Sequence, residues 1–255
     1  FPDTPHYICH FHFLRDLGKD LLEEQYSIIR NTLKKYGVTS QLRYRLRYYF
    51  ENKTKDINAS QIKETIKTSK RLNGQDSQIV KQICHILILW ALDGKNYGNG
   101  FGFPFDRPHY EFYTRLDLLY RKLKSFQNKC DDNKLILKLV DDLSPLINDI
   151  ECLEAYQIFS EKEKVFDKLR HALSIALPTT ANGLNDNGED VEIKTIKNRV
   201  KEFKEWFIQE EYQQENKDHQ KLIGQLEKYW GKLFSDPIQI TSSEGVTFLQ
   251  GYSLI

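Results

Sequence analysis

The chain has 255 residues, with 37 Lys and Arg against 36 Asp and Glu, a formal charge of +1, and a hydrophobic content of 40%. The near-zero net charge excludes a uniformly basic nucleic-acid coat protein and an acidic tail protein. It does not exclude local patches of one charge on the surface. The composition is that of a globular chain, and no apolar run reaches the roughly 20 residues of a membrane helix.

The methionine and cysteine counts indicate how the chain is produced and in which compartment it is found. The sequence contains no Met, which indicates a processed product or an internal fragment of a longer reading frame. The four cysteines have no paired spacing, a pattern that favours thiols in a reducing compartment over two disulfides. Because no CxxC pair exists, a four-cysteine zinc site is excluded. We therefore expect a cytoplasmic protein.

The beginning of the chain predicts a short β-strand. Residues 6–13 are rich in aromatic and β-favouring side chains and follow Pro2 and Pro5. Their alternation places Tyr7, Cys9, Phe11 and Phe13 on one side of the predicted strand. Because a single strand cannot satisfy its own edges, its partners are expected elsewhere.

From Leu14 onward the apolar residues recur at helical spacing. The predicted helices cover residues 14–33, 42–50, 60–72, 76–92, 109–128, 134–143, 148–177 (with a break near 159–160), 191–214 and 218–234. Two long loops, 93–108 and 178–190, are rich in turn-forming residues. The tail contains two strand-like pieces, 238–240 and 246–249. We predict a mainly α fold, with a helical share about twice the usual one.

Cys9 and His12 form a CxxH pair within the densest cluster of side chains able to bind a metal. On a continuing strand the two would point to opposite faces, so they could converge only if the chain turns into a helix. A zinc site needs about four ligands, and no second pair has ligand spacing. Three roles stay open: packed structural side chains, a metal site, and a role specific to a protein family.

Residues 41–50 interleave arginines with aromatic side chains. On a helix, arginines four residues apart share one face, and tyrosines lie beside them. Guanidinium groups suit phosphates, and tyrosine rings stack on unpaired bases. The predicted nucleic-acid contact consists of Arg43, Tyr44, Arg45, Arg47 and Tyr48. The alternative is an amphipathic helix whose arginine stems cover apolar surface.

The glycine-rich residues 98–102 are not predicted to bind a nucleotide. Phosphate-binding glycine loops follow a strand and precede a helix N-terminus, whereas here a helix comes first and no Gly-Lys-Ser/Thr follows. We expect an ordered loop in which the glycines allow positive φ and three aromatic rings pack against the helices: Phe101, Phe103 and Phe105.

The acidic residues between 186 and 192 lack the order of a calcium loop. They are interpreted as solvated acids at a helix N-terminus, where the helix dipole favours them. Lone histidines such as His171 and His219 are interpreted as surface or structural residues. The sequence contains no GxSxG or HExxH motif. We predict no catalytic residue and, apart from the metal role left open for Cys9 and His12, no metal site.

Residues 7–16, Tyr-Ile-Cys-His-Phe-His-Phe-Leu-Arg-Asp, resemble the stretch that follows the second catalytic aspartate in bacterial DDE-type insertion-sequence transposases. This group is related to the Mutator-like transposases of the RNase H-like superfamily. Residues 90–94 and 102–108 are similar to a helical region that such transposases carry between the second aspartate and the final glutamate. Three further segments are similar to the later helices of the family: residues 183–185, 200–203 and 228–234.

This resemblance implies an RNase H-like core in which two Asp and one Glu hold two Mg²⁺ ions for DNA cleavage and strand transfer. In this chain the expected aspartates would precede Phe1, and Glu244 lacks the context of the family's glutamate. Only Cys9 and His12 match a family motif near that site, with an expected role in supporting the core. We therefore expect a fragment or degenerate copy of a transposase, inactive alone and without a cofactor of its own.

The resemblance also implies a domain division and a partner. Residues 1–14 would be a remnant strand of the RNase H-like core, residues 15–177 a helical insertion domain, and residues 178–255 the C-terminal helices and an irregular tail. The expected partner is DNA at the transposon ends, and self-association stays open. The alternative function is a non-enzymatic, all-helical domain that binds nucleic acid, or binds a protein partner through the glycine–phenylalanine loop.

Overall fold

The structure is a computed structural model that describes residues 8–49, 77–127, 134–177, 187–209, 217–234, 238–241 and 247–250. These residues form eight α-helices: α1 His10–Lys35, α2 Val38–Tyr49, α3 Ser77–Asp93, α4 Pro108–Gln127, α5 Lys134–Ile147, α6 Ile150–Leu173, α7 Ile193–Gln209 and α8 Lys217–Leu233. Two short strands, β1 Ile238–Thr241 and β2 Thr247–Gln250, pair antiparallel. The prediction of a mainly α fold is confirmed. The predicted helix at 60–72 lies outside the described residues.

The predicted N-terminal strand is wrong for the described part of residues 6–13. α1 begins at His10, and the N–H of Phe13 donates to the carbonyl of Cys9 at 3.0 Å, which closes a helical turn. The buried positions explain this outcome, because His10, Phe13, Leu14 and Leu17 follow one another at helical spacing. Residues 1–7 lie outside the described part of the chain, so the rest of the strand prediction stays untested.

Three other helices differ clearly from the prediction. α2 begins at Val38, four residues before the predicted start at Leu42. α5 continues to Ile147 rather than ending at Leu143, and Pro145 lies inside it. α6 is continuous across residues 159–160, where the sequence predicts a break. It ends at Leu173, before a segment in which Ser174 and Ala176 have positive φ.

The chain divides into two compact units. The first unit comprises Phe1–Glu23, Asn99–Phe105 and Ser160–Ile255, and the second unit comprises Glu24–Gly98 and Asp106–Phe159. The unit boundaries therefore fall inside α1 and α6. The division of the chain at residues 14 and 177, which concerns the domains of a family, stays a prediction. None of the described helices is long and apolar enough to cross a membrane.

In the second unit, α4 packs against α3 and α5. Its buried stripe repeats at helical spacing and consists of Phe112, Tyr113, Leu116, Leu119, Leu123 and Phe126. Arg115 joins α4 to the end of α3, since its Nη1 donates to the carbonyl of Trp90 at 2.8 Å. Its Nε donates to Glu111 at 2.7 Å, within α4. Asp149 accepts the N–H of Cys152 at 3.0 Å, which satisfies a donor in the first turn of α6.

In the first unit, the loop at 99–105 is anchored by Phe105. The Phe105 ring stacks on Phe11, with centroids 4.9 Å apart, and contacts Phe166 at 5.8 Å. The buried Arg170 donates to the carbonyl of Phe105 at 3.3 Å and lies over its ring. The prediction of a loop packed through its phenylalanines is confirmed for Phe105, and the glycines at 98, 100 and 102 have the expected positive φ.

Candidate nucleic-acid interface

α2 is anchored by a small number of buried residues. Gly37, with φ of 58°, ends α1 and lets the chain turn directly into α2. Val38 and Leu42 are 1% and 0% exposed, and α2 packs against α3 and α5 of the same unit. The opposite side therefore faces away from the core of this unit.

That opposite side carries two pairs of residues at helical i, i+4 spacing, which we call the α2 face: Arg43, Tyr44, Arg47 and Tyr48. All four side chains are exposed. The tyrosine rings are 54% and 62% exposed and lie nearly parallel, with centroids 6.0 Å apart and an interplanar angle of 25°. Neither arginine forms an ion pair with any residue that the structure describes. The α2 face thus combines available positive charge with flat aromatic surface.

Arg45, the remaining residue of the predicted contact, has a different environment. Its Nε and Nη2 donate to the two carboxylate oxygens of Asp142 on α5, at 2.7 and 2.9 Å. The side chains of Arg45 and Asp142 are only 20% and 16% exposed. This bidentate geometry already occupies the guanidinium fork, so Arg45 connects α2 to α5. No local pattern around Arg45 indicates this partner, because Asp142 lies 97 residues away.

Cys9 and His12 lie around the start of α1 and have different environments. Cys9 is a half-buried thiol just before the helix. His12 is exposed and borders a cavity of about 350 Å³, together with Asp16, Asp20 and Tyr229. The histidine that is fixed in place is instead His10, whose buried Nε2 lies 2.7 Å from the carbonyl oxygen of Leu233. A role of the CxxH pair in supporting a family core therefore stays a prediction.

The described residues do not fit a metal centre. Within the seven described ranges, no three His, Cys, Asp or Glu side chains are arranged so that they could hold a metal ion. Glu189, Asp190 and Glu192 are exposed just before α7, as expected for solvated acids at a helix N-terminus. The Mg²⁺ pair implied by the resemblance therefore has no ligand set among these residues, and we derive no chemical step through it.

Comparisons of the chain with protein-family models, with curated proteins and with solved structures give no match. The resemblance to transposases therefore depends on the sequence segments themselves.

Proposed function

We propose that the chain is the helical region of a DDE-type transposase and that it binds DNA through the α2 face. The observation that carries this proposal is the exposed pairing of Arg43 and Arg47 with the stacked rings of Tyr44 and Tyr48. The resemblance of the N-terminal and later segments to insertion-sequence transposases supports DNA as the partner.

The chemistry of the α2 face fits DNA in which some bases are unpaired. Phosphate groups pair with arginine forks, and each such pairing releases counterions, so binding weakens as the salt concentration rises. Unpaired bases stack on aromatic side chains whatever their sequence. A transposon end held during strand transfer offers both features, a charged backbone and bases that leave the duplex.

Fluorescence anisotropy with a labelled duplex that carries a single-stranded overhang tests this proposal. Replacing both exposed arginines, in Arg43→Gln/Arg47→Gln, is expected to weaken binding and to lower the slope of log K against log salt by about one for each phosphate that is no longer bound. Replacing both rings, in Tyr44→Leu/Tyr48→Leu, is expected to weaken binding to the overhang by about 1–3 kcal/mol for each stacked base. Tyr44→Phe/Tyr48→Phe keeps the rings and should retain the affinity.

The matched control is Lys217→Gln/Lys221→Gln. These lysines are also exposed and four residues apart, on α8, but they have no tyrosine stripe beside them. If the arginine variant binds DNA like this control, the α2 face is not the binding surface. The transposase assignment has its own test: it predicts inverted repeats on either side of the gene, and the chain should bind DNA of those repeats more tightly than shuffled DNA of the same composition.

A further inference from the structure

A group of cationic side chains surrounds the start of α4 in the second unit. Arg30 and Lys34 are one turn apart on the same face of α1. Lys95 lies in the short helical turn Gly94–Asn96 that follows α3. His109 is the second residue of α4. We call these four residues the α1–α4 cluster, and none of them belongs to the α2 face.

Contacts with uncharged side chains position two members of the α1–α4 cluster. The ring of His109 lies against that of Tyr26 on α1, with centroids 5.6 Å apart, and the backbone N–H of His109 donates to the Tyr26 hydroxyl at 3.4 Å. Nζ of Lys95 donates to Oγ1 of Thr39 at 3.2 Å and lies 5.8 Å from the centre of the Phe112 ring. Both sets of contacts involve the first turns of α4, so α1 and Lys95 meet at this end of the helix.

The two lysines of the cluster are exposed and have no carboxylate partner in the described part of the chain. Neither Lys34 nor Lys95 forms an ion pair with any residue that the structure describes. On the neighbouring helices, Asp93 and Glu111 pair with Arg115, at 3.4 and 2.7 Å. Like charges close to one another repel, so an anion bound among these cations would relieve an unfavourable interaction.

The electrostatic environment of His109 indicates that the cations act on the same place. Burial lowers the pKa of His109, and the positive charges of Arg30, Lys95 and Lys34 lower that pKa further, with no opposing effect of a described carboxylate. At neutral pH the imidazole is therefore uncharged and presents one N–H donor. His109 is only half-buried, and its ring nitrogens are not sealed from solvent. The ring can thus donate to an anion that the three cations attract.

We propose that the α1–α4 cluster binds a phosphate group through the ammonium groups of Lys34 and Lys95 and the imidazole of His109, with Arg30 adding positive charge. A phosphate monoester carries a charge of about −1.5 to −2 and three strong acceptor oxygens, so it can accept from donors on three different elements. A carboxylate has only two oxygens, in one plane. Two sources carry this chemistry, the DNA backbone and small phosphorylated molecules. The proposal does not depend on the α2 face.

Isothermal titration of the 255-residue chain with pyrophosphate, at low and constant ionic strength, tests the proposal. Pyrophosphate is expected to bind at millimolar concentration or below, and acetate at least about tenfold more weakly. Lys34→Gln/Lys95→Gln should weaken the binding of pyrophosphate by at least about tenfold, the effect of one charge-assisted hydrogen bond. His109→Phe removes a neutral donor and should weaken it by about fivefold. An unchanged affinity in His109→Phe would exclude the imidazole as a ligand.

The matched control is Lys134→Gln/Lys138→Gln, which removes the same charge from two exposed lysines on α5 of the same unit. Pyrophosphate should bind this control and Arg43→Gln/Arg47→Gln as it binds the unmodified chain, so failure of this site and failure of the α2 face give different results. Circular dichroism checks the fold of each variant. The proposal is wrong if pyrophosphate does not bind at millimolar concentration, if Lys34→Gln/Lys95→Gln binds it like the control, or if acetate binds equally well.

DNA binding separates the two sources of the phosphate group. If Lys34→Gln/Lys95→Gln lowers the salt dependence of binding to the labelled duplex, and pyrophosphate displaces that duplex, the group is a backbone phosphate of DNA. If the variant loses pyrophosphate binding but binds the duplex as before, the site takes a small phosphorylated molecule.

Discussion

Arg45 shows how one guanidinium in a basic segment can have a structural role while its neighbours remain exposed. The contact with both oxygens of Asp142 joins α2 to α5 in a setting where each side chain is largely removed from water. Truncating one partner of such a pair leaves the other charge poorly solvated, which costs more than the pair itself contributes. The two exposed arginines of α2 have no comparable partner among the described residues.

We therefore expect Arg45→Met to lower the free energy of unfolding by about 1–3 kcal/mol, because the carboxylate of Asp142 loses its donors. Arg43→Met, on the exposed side, should change that free energy by less than about 0.5 kcal/mol. Urea unfolding followed by circular dichroism at pH 7 measures both values. Equal effects of the two variants would contradict the structural role of Arg45.

For the individual residues of α2, the sequence predicts which side chains share a helix face but not all of their partners. The i, i+4 spacing correctly places Arg43 with Arg47 and Tyr44 with Tyr48, because helix geometry fixes such neighbours. The sequence pattern groups Arg45 with Arg43 and Arg47 by residue type alone. Arg45 differs from these two arginines because it pairs with a carboxylate on another helix, and such long-range pairs leave no local pattern in the sequence.

Among the elements, α1 has a packing that depends on the absence of a side chain at Gly18. A Cβ atom at Gly18 would overlap both the ring of Phe166 and Cγ of Pro104, so the glycine allows α6 and the 99–105 loop to approach α1 closely. These contacts lie within the first unit. Helix propensity alone would predict that alanine at this position stabilises the protein, because glycine inside a helix is usually less stable than alanine.

Gly18→Ala is accordingly expected to destabilise the protein by about 1–3 kcal/mol, as overpacked core substitutions do. Gly224→Ala is the matched control, because that glycine also lies inside a helix but in open space. It should stabilise the protein by about 0.4–1 kcal/mol. Thermal unfolding of the two variants measures this difference in sign, and a stabilising Gly18→Ala would contradict the close packing.

The elements also show why the strand predicted for residues 6–13 is wrong in its described part. Residues 10–13 read His-Phe-His-Phe, a pattern that alternates but also continues the helical spacing of the leucines that follow. The buried residues follow the helical spacing, and the buried Nε2 of His10 lies 2.7 Å from the carbonyl oxygen of Leu233 at the end of α8. That contact spans 223 residues. The apolar residues of α3 and α4 repeat without such ambiguity, and the predicted bounds of these helices lie close to the observed ones.

On the scale of the whole molecule, the histidines link stability to pH. Four buried or half-buried histidines have a pKa lowered by burial: His10, His85, His109 and His219. Nearby cations lower the pKa of two of them further, His109 and His219. Each compact unit contains two of the four, so the effect concerns the whole chain rather than one site.

The sign of the pH dependence follows from proton binding. In the unfolded chain these histidines take up protons near pH 6.5, whereas in the folded protein they do so only at lower pH. Between those values the unfolded state binds more protons, so stability falls as the pH falls. The slope contributed by one histidine cannot exceed about 1.4 kcal/mol per pH unit.

We expect the free energy of unfolding to decrease steadily from about pH 7.5 to about pH 5.5, a range in which ordinary carboxylates remain ionised. Urea unfolding at several pH values measures this decrease, and His219→Phe should make the dependence shallower because one of the four groups no longer titrates. If the two units unfold in separate transitions, both transitions should shift, since His10 and His219 belong to the first unit and His85 and His109 to the second. A stability that stays constant over this range would show that these histidines take up protons equally in the folded and unfolded states.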